Sequence, residues 1–148
     1  MYISQVTLAA LEQVSVLFDA YRQFYAQESD LGAARAFIAK RLEEQDSVIF
    51  LARTETDEPL GFVQLYPSFS SVAMKRMWYL NDLYVAENAR QQGVARALLN
   101  HVEVFAKETN ALTVKLATAV SNEKAKSLYE SEGYAKVTAF DHDTQRVK

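Results

Sequence analysis

The sequence predicts an α/β protein in which helices cover the faces of a mixed sheet. Two observations lead to this class. Apolar, β-branched runs alternate with helix-period patterns, in the order β-α-α-β-β-β-α-β-α-β-β. The early strands follow one another through hairpins, so they are antiparallel, whereas the later strand–helix–strand unit requires a parallel pair. At 148 residues the chain is expected to form a single domain, 1–148.

The first half of the chain carries two helix patterns between strands. A short strand is predicted at 2–6, and apolar residues at helical spacing over 8–25 predict the first helix. The segment 31–45 fits a second amphipathic helix. An apolar, β-branched run at 47–53 then indicates a buried strand.

A hairpin and a further long strand follow. The turn 54–61 holds a proline and a glycine, and 61–66 is predicted as the returning strand. The segment 67–75 is interpreted as an irregular loop. A third long strand of the sheet is predicted at 76–86.

The second half begins with a helix that is expected to run to about Glu108. A strand is predicted at 112–120, and the next helix has Asn122 as its expected N-cap and Gly133 as its expected end. Final strands are predicted at 134–137 and 139–147.

Composition excludes several function classes. There is no cysteine, which removes thiol nucleophiles, disulfides and CxxC zinc sites, and two histidines argue against a multi-histidine metal centre. The net charge of −3 argues against nucleic-acid binding, which depends on Lys and Arg. The sequence carries no membrane-length apolar run, and Arg22 is its first basic residue, so a cytoplasmic protein without a signal peptide is expected.

The segment RQQGVA (90–95) stands where a polar loop enters a helix. The first N–H groups of a helix lack internal partners and favour an anion, and Gly93 offers main chain without a Cβ. Arg90 adds a charge whose donors suit phosphate. The segment is therefore interpreted as a pyrophosphate-binding loop, or cradle, formed by 90–95. Gly93 by itself could instead serve only to turn the chain. It is neither a Walker A loop nor a dinucleotide-binding G-x-G-x-x-G.

Two linked motifs resemble the GNAT family of N-acetyltransferases. RQQGVA satisfies that family's acetyl-CoA signature [RQ]-x-x-G-x-[GA], and NEKAKSLYESEGY (122–134) is similar to its second motif, N-x-x-A-x-x-L-Y-x-x-x-G-[FY]. The resemblance covers roughly residues 1–140. It implies the GNAT fold: one three-layer domain with a mostly antiparallel central sheet and a splayed parallel pair, here between 82–85 and 115–119.

The resemblance implies acetyl-CoA as co-substrate. In the family, main-chain N–H groups of the splayed strand, here around Leu83 and Val85, bond the acetyl oxygen and the pantetheine amides. Asn122 matches a pantetheine contact, although its helix-capping role would explain it equally well. The positions carried over as coenzyme-binding are Leu83, Tyr84, Val85, Arg90, Gln91, Gln92, Gly93, Val94, Ala95, Arg96, Asn122 and Tyr129.

Catalytic roles follow from the same resemblance. Tyr129 matches the tyrosine that donates a proton to the leaving thiolate of the coenzyme; an amphipathic-helix core tyrosine is the alternative. Diamine acetyltransferases of the family carry a glutamate, the proposed general base, where this chain has Asn81 in YLNDLYV. Asp82 is the nearest carboxylate and a candidate base acting through water, or else a structural ion-pair residue. Further options for the base are Tyr79, Glu28 and His142.

The expected reaction is acetyl transfer to a primary amine of a small molecule by direct attack in a ternary complex. Tyr66, Phe69, Trp78 and Asn81 are the predicted acceptor-site residues, since aromatic rings can hold a cationic amine. A protein or peptide acetyltransferase and a non-catalytic acetyl-CoA-binding module stay open as alternatives. A homodimer is expected by family analogy, and no metal, nucleic acid or membrane partner is expected.

Overall fold

Five strands form one sheet in chain order. The computed structural model describes residues 1–147. The strands are β1 (Tyr2–Gln5), β2 (Val48–Arg53), β3 (Pro59–Ser70), β4 (Lys75–Val85) and β5 (Val114–Leu116). Neighbouring strands are antiparallel except β4 and β5, which are parallel. The predicted mixed sheet is therefore confirmed.

Three helices, α1 (Leu11–Phe24), α2 (Leu31–Glu44) and α3 (Val94–Glu108), lie on the two faces of this sheet. A fourth helix, α4 (Glu123–Ser131), follows β5 along the chain. The ring of Phe62 on β3 contacts α1, and its β2 partner in the ladder is Leu51. Phe50, the residue before Leu51, contacts His101 and Phe105 of α3. Because side chains alternate along a strand, α1 and α3 cover opposite faces.

The chain divides into two compact units. The first, Met1–Ala117, holds the whole sheet with α1, α2 and α3, and the second begins at Thr118 and holds α4. The buried hydrophobic core lies in the first unit, from Val6 to Ala106. The single-domain boundary 1–148 stays a prediction.

Asp19 ties α1 to the segment that leads into α2. Its buried carboxylate accepts hydrogen bonds from Ser29 Oγ at 2.7 Å and from the Asp30 N–H at 2.8 Å. These two bonds, with the charge of Arg22, lower the pKa of Asp19 against the opposing effect of burial. Asp30 in turn caps α2 by accepting from the Ala33 N–H at 3.1 Å. The two helices are thus fixed together on one face.

The prediction of an irregular loop at 67–75 is wrong. Strand β3 continues to Ser70, and its ladder with β4 runs on through Pro67 opposite Trp78 to Ser70 opposite Lys75. A prolonged strand tolerates Pro67 because the β2–β3 pairing has already ended at Leu65, so no neighbour on that side needs an N–H donor. Only the residues between Ser70 and Lys75 form the turn.

The final strands predicted at 134–137 and 139–147 are also wrong for this single chain. Within the described residues, none from 134 to 147 belongs to a strand. An alternating pattern becomes a strand only where a neighbouring strand completes its hydrogen bonds, and none does so here. Likewise, β5 covers three residues of the nine predicted at 112–120.

Candidate active site

A bulge in β4 organises the candidate site. Gln64 of β3 lies opposite Asp82, and the next residue, Leu65, lies opposite Leu80. Asn81 is therefore an extra residue without a partner across the ladder. Such a bulge shifts the alternation of the strand by one residue.

The bulge changes which face of the sheet each side chain meets. Leu80 shares the face of Leu65, whereas Asp82 shares the opposite face with Gln64. That second face is the one covered by α1, since the ring of Tyr84, two residues beyond Asp82, lies 6.1 Å from the ring of Tyr21. If the strand alternated without a bulge from Leu80 through Asn81, Asp82 would point to the α3 face together with Leu80.

The bulge also reverses the direction of the main-chain amides. Before it, the N–H of Trp78 donates to Thr113 O at 3.1 Å, on the β5 side. After it, the N–H of Ala86 donates to Leu60 O at 2.8 Å, on the β3 side. By alternation, Leu83 and Val85 direct their amides to the β5 side. The β4–β5 pairing ends at Leu80 opposite Leu116, so among residues 1–147 no strand pairs with these amides, and they lie on an open edge of β4.

The start of α3 lies just beyond this edge. Gly93 is its N-cap residue with φ 79°, a left-handed conformation that glycine adopts without strain. Among residues 1–147, no side chain caps this helix end, and its first turn holds no acidic residue. An added Cβ at Gly93 would meet no protein atom within 4 Å. The main-chain donors here are thus exposed and suited to an anion.

Arg90 braces the loop between β4 and α3. Its Nε donates to Val85 O at 3.2 Å, and its guanidinium lies 5.6 Å from the Tyr84 ring and 6.0 Å from the Phe24 ring. The side chain therefore holds the loop against the end of β4 and α1. Its charge remains at the exposed mouth of the predicted cradle.

Gly61 is a site residue that the sequence analysis assigned only to the hairpin, as the end of its turn and the start of its returning strand. It lies in β3 opposite Val85, and a Cβ there would stand 2.8 Å from Tyr84 O and 3.2 Å from a methyl of Val94. Only glycine lets β3, the end of β4 and the first residue of α3 approach this closely. A glycine inside an apolar strand pattern was the available signal.

A chain of hydrogen bonds between polar side chains stabilises the bulge. Ser47 Oγ donates to Gln64 Oε1 at 2.9 Å, and Gln64 Nε2 donates to Asp82 Oδ2 at 2.7 Å. Asn81 Nδ2 donates to Asp82 Oδ1 at 3.0 Å. The described residues place no Lys, Arg or His in an ion pair with Asp82, which is 5% exposed. Sequence reasoning missed Gln64, although a glutamine within the apolar run GFVQLY marked it.

Tyrosine side chains lie near these hydrogen-bonded residues on the α1 face. The Tyr21 hydroxyl donates to Asn81 O at 3.3 Å, so α1 also holds the bulge. Tyr66 lies two residues beyond Gln64 in β3, opposite Tyr79. Burial, and then the nearby charge of Asp82, raise the pKa of Tyr66 to about 12. Tyr66 is therefore a phenol at neutral pH, which can donate a hydrogen bond and cannot serve as a phenolate base.

Two other predicted acceptor residues, Trp78 and Phe69, lie on the opposite face of the sheet from Tyr66. Trp78 is buried on the α3 face, where its Nε1 donates to Thr109 Oγ1 at 2.9 Å and its ring contacts Phe105. Phe69 is 65% exposed, with the Arg76 guanidinium 5.3 Å from its ring. Both residues alternate away from the face of Tyr66, so the three rings do not share one pocket.

The second motif, residues 122–134, belongs to the second unit. Asn122 caps α4, since its side chain accepts from the Ala125 N–H at 3.1 Å, which confirms the predicted cap. Gly133, with φ 94°, ends the helix in the predicted left-handed conformation. The Tyr129 ring lies 5.7 Å from the Tyr134 ring, edge to face. The roles of Asn122 and Tyr129 toward the coenzyme stay predictions.

Comparison with known proteins agrees with this arrangement. The model of the acetyltransferase (GNAT) family matches residues 13–134. The chain is 45% identical over 142 residues to an uncharacterized N-acetyltransferase, YhfO, of Bacillus subtilis. The match covers 96% of this chain and 95% of that protein. It is 34% identical to a probable acetyltransferase of Haemophilus influenzae, over 84% of this chain and 83% of the other. The crystal structure of a probable acetyltransferase, 46% identical, superposes with a TM-score of 0.96 over 100% of this chain and 99% of its own.

The chain therefore belongs to the GNAT acetyltransferase family and is an acyltransferase. Members of this family use acetyl-CoA as co-substrate. The residues present fit that molecule, because an open strand edge and an uncapped helix start lie next to each other. No helix in residues 1–147 is long and apolar enough to cross a membrane.

The close approach at Gly61 predicts a stability effect. Gly61→Ala is expected to lower the free energy of unfolding by about 1–3 kcal/mol, because the added methyl must displace Tyr84 O or Val94. Thermal or urea denaturation measures the change. Gly32→Ala is the matched control: Gly32 lies in α2 with its nearest atom at 3.9 Å, so the same substitution should be neutral or stabilising. Equal stability of wild type and Gly61→Ala would contradict the assignment.

Proposed function

We propose that the protein transfers the acetyl group of acetyl-CoA to a primary amine of a small molecule, by direct attack within a ternary complex. The observation that carries the proposal is the open β4 edge beyond Leu80, which adjoins the uncapped start of α3 at Gly93. The start of α3 suits a diphosphate, and the β4 edge suits a thioester.

The coenzyme would be held mainly by main chain. The loop and first turn of α3 would bind its diphosphate, and the β4 edge would bind its pantetheine arm. The residues proposed to bind the coenzyme are Leu83, Tyr84, Val85, Arg90, Gln91, Gln92, Gly93, Val94, Ala95 and Arg96, with Asn122 and Tyr129 from the second motif. Each of the first ten lies on β4 or between its end and the first turn of α3.

The N–H of Leu83 is the nearest edge amide beyond the bulge. Acetyl-CoA supplies an activated thioester whose carbonyl oxygen gains negative charge when an amine attacks. A main-chain donor held rigidly by two neighbouring ladders stabilises that charge without reorganising, as an oxyanion hole does. The sequence lacks cysteine, so no cysteine-bound acyl intermediate forms, and direct attack is the simpler route.

Asn81 faces the acceptor. A carboxylate only accepts hydrogen bonds, so the Asn81 amide must present its nitrogen to Asp82, as the 3.0 Å contact shows. Its oxygen is thereby left to accept from an N–H group, and the side chain lies at the exposed surface of the bulge. Asn81 would thus orient the amine rather than remove its proton.

Asp82, which accepts a hydrogen bond from Asn81, would supply a negative charge near the acceptor. A buried carboxylate with amide partners but no cation favours a positively charged molecule nearby. Both of its oxygens accept hydrogen bonds from side-chain amides, so proton transfer to Asp82 would pass through water at a remaining lone pair. Tyr66 would donate to the acceptor, and Tyr129 would protonate the leaving thiolate.

Incubation with acetyl-CoA and a panel of amines tests the proposed function. Polyamines, amino acids, aminoglycosides and lysine-containing peptides would be compared by thiol release. Thiol release is expected with at least one small primary amine. Release is expected to be slower with peptides. Activity with peptides alone would identify a peptide acetyltransferase. Binding of CoA without release for any amine would identify a non-catalytic binding module, and either result would overturn the proposal.

Tyr129→Phe tests the proton donor. The substitution removes only the hydroxyl, so kcat is expected to fall about 100-fold while the KM for acetyl-CoA changes little. Steady-state kinetics with the best amine of the panel provides both constants. Tyr134→Phe is the matched control, because it removes the same group from the neighbouring ring. Unchanged kcat in Tyr129→Phe would remove Tyr129 from the mechanism.

Asn81→Ala tests recognition of the amine. Loss of one neutral hydrogen bond is expected to raise the KM for the amine roughly 3- to 10-fold and leave the KM for acetyl-CoA unchanged. Asn100→Ala, on the exposed surface of α3, makes the same chemical change away from the bulge and should alter neither constant. An unchanged amine KM in Asn81→Ala would show that the substrate does not contact this side chain.

A further inference from the structure

Arg41 of α2 is a charged side chain that the proposed reaction does not use. Its guanidinium carbon lies 5.0 Å from the centre of the Phe37 ring, one turn earlier in the helix. The Phe37 ring stacks on Phe18 of α1 at 5.5 Å. Arg41 therefore lies on the face of the sheet that α1 covers, and its side chain is 22% exposed. A charge held at the edge of the interior interacts more strongly with another molecule than a charge in open solvent.

The donors of Arg41 are largely unused within the chain. Nη1 forms an ion pair with Asp46 Oδ2 at 3.2 Å, and Nε is buried without a partner among residues 1–147. Arg53 of β2 is similarly exposed, at 21%, but its terminal nitrogens donate to Gln13 at 3.4 Å and to Ser4 at 2.8 Å. The ion pair of Arg41 engages one terminal nitrogen and leaves Nη2 as a donor for another molecule.

The ion pair of Arg41 lies at the β2 end of the hydrogen-bond chain that stabilises the bulge. Asp46 directly precedes Ser47, whose hydroxyl donates to Gln64 at 2.9 Å. Tyr66 follows Gln64 by two residues in β3, so both side chains are on the same face. Arg41 and Tyr66 are thus brought to the same end of β3, on one face of the sheet.

The pKa of Tyr66 responds to these neighbouring charges. Burial and then Asp82 raise this pKa. Arg41 lowers it and Asp46 raises it, both less strongly. Charges act on one another over about 10 Å at ordinary salt concentrations, so the Arg41 guanidinium lies close to the phenol. Because the phenol is protonated at neutral pH, it adds a second donor beside the guanidinium.

The two ends of this region offer different groups to an acceptor. At the bulge, the Asn81 oxygen and the Asp82 carboxylate accept hydrogen bonds and favour a cation. Toward α2, Arg41 and Tyr66 offer donors and a positive charge. The opposing charge of Asp46, which is 44% exposed, is screened by water more than that of Arg41. A molecule with both an ammonium and a carboxylate group matches both ends, whereas a polyamine matches only the first.

We infer that the acceptor is an amino acid, whose amine lies at Asn81 and whose carboxylate is bound by Arg41 and Tyr66. The inference rests on the proposed function and names the substrate class of the same site. The amine nitrogen forms its bond to the acetyl carbon as the bond from that carbon to sulfur breaks. Of the two protons that the ammonium group loses, one passes to solvent and one ends on the thiol of CoA. The carboxylate is unchanged, so Arg41 determines specificity and takes no part in proton transfer.

Matched acceptors provide the first test. An amino acid and its carboxamide, such as glycine and glycinamide or lysine and lysinamide, share the amine and differ in the carboxylate. With the unmodified protein, kcat/KM is expected to be about 10- to 100-fold higher for the acid, because the carboxamide loses charge-assisted hydrogen bonds. Equal or faster turnover of carboxamides or polyamines would overturn the inference and leave the proposed function standing. No turnover with any amine would overturn the proposed function, and the inference with it.

Arg41→Gln provides the second test. The substitution removes the charge and keeps a polar side chain on α2. The KM for the best amino acid is expected to rise about 10-fold, whereas the KM values for its carboxamide and for acetyl-CoA should not change. Arg41→Lys should restore part of the affinity, since it keeps the charge without the planar fork. An equal loss for acid and carboxamide would assign Arg41 a structural role and overturn the inference.

Arg53→Gln is the matched control. Arg53 has nearly the same exposure as Arg41 and also forms an ion pair, with Asp57 at 3.0 Å, but it lies on β2 opposite Tyr2 of β1. The control should leave the preference for acid over carboxamide unchanged. A loss of that preference equal to the loss in Arg41→Gln would overturn the inference. If Arg41→Gln fails to fold, the comparison of acids with carboxamides in the unmodified protein decides.

Discussion

The site depends on one irregularity, the extra residue Asn81 in β4. A strand between an antiparallel and a parallel neighbour must direct its amides alternately to each. Inserting a single residue reverses that alternation halfway along the strand. As a result Asp82 meets the α1 face, and the amides of Leu83 and Val85 meet an edge that β5 does not reach. The proposed acceptor site and the proposed coenzyme site are therefore two consequences of one bulge.

A bulge of this kind needs support, because it places a carboxylate in the interior. Gln64 and Ser47 provide that support through a chain of hydrogen bonds whose directions are all set by the carboxylate at one end. The same constraint orients Asn81, whose nitrogen is bound inward. Under the proposed function, this amide would present an oxygen to the amine at the position where diamine acetyltransferases of the family carry a glutamate.

The proposed coenzyme site depends on a close approach of main-chain segments. Gly61 lets the end of β4 and the start of α3 meet β3 without a side chain between them, and Gly93 allows the turn into α3 through its left-handed φ. Arg90 then joins the loop to Val85 O and to the rings of Tyr84 and Phe24. The helix start is thereby held at a constant distance from the strand edge, as a long coenzyme would require.

The sequence by itself determined the helices, the cap of α4 at Asn122 and its end at Gly133, the mixed sheet, and the family through RQQGVA together with NEKAKSLYESEGY. Only the tertiary structure decided the bulge, the buried partners of Asp82, the role of Gly61, and the strand that replaced the loop expected at 67–75. It likewise left 134–147 without a strand. The reason is physical: periodicity and glycine φ are local, whereas a register shift or a strand exists only through the neighbour that pairs with it.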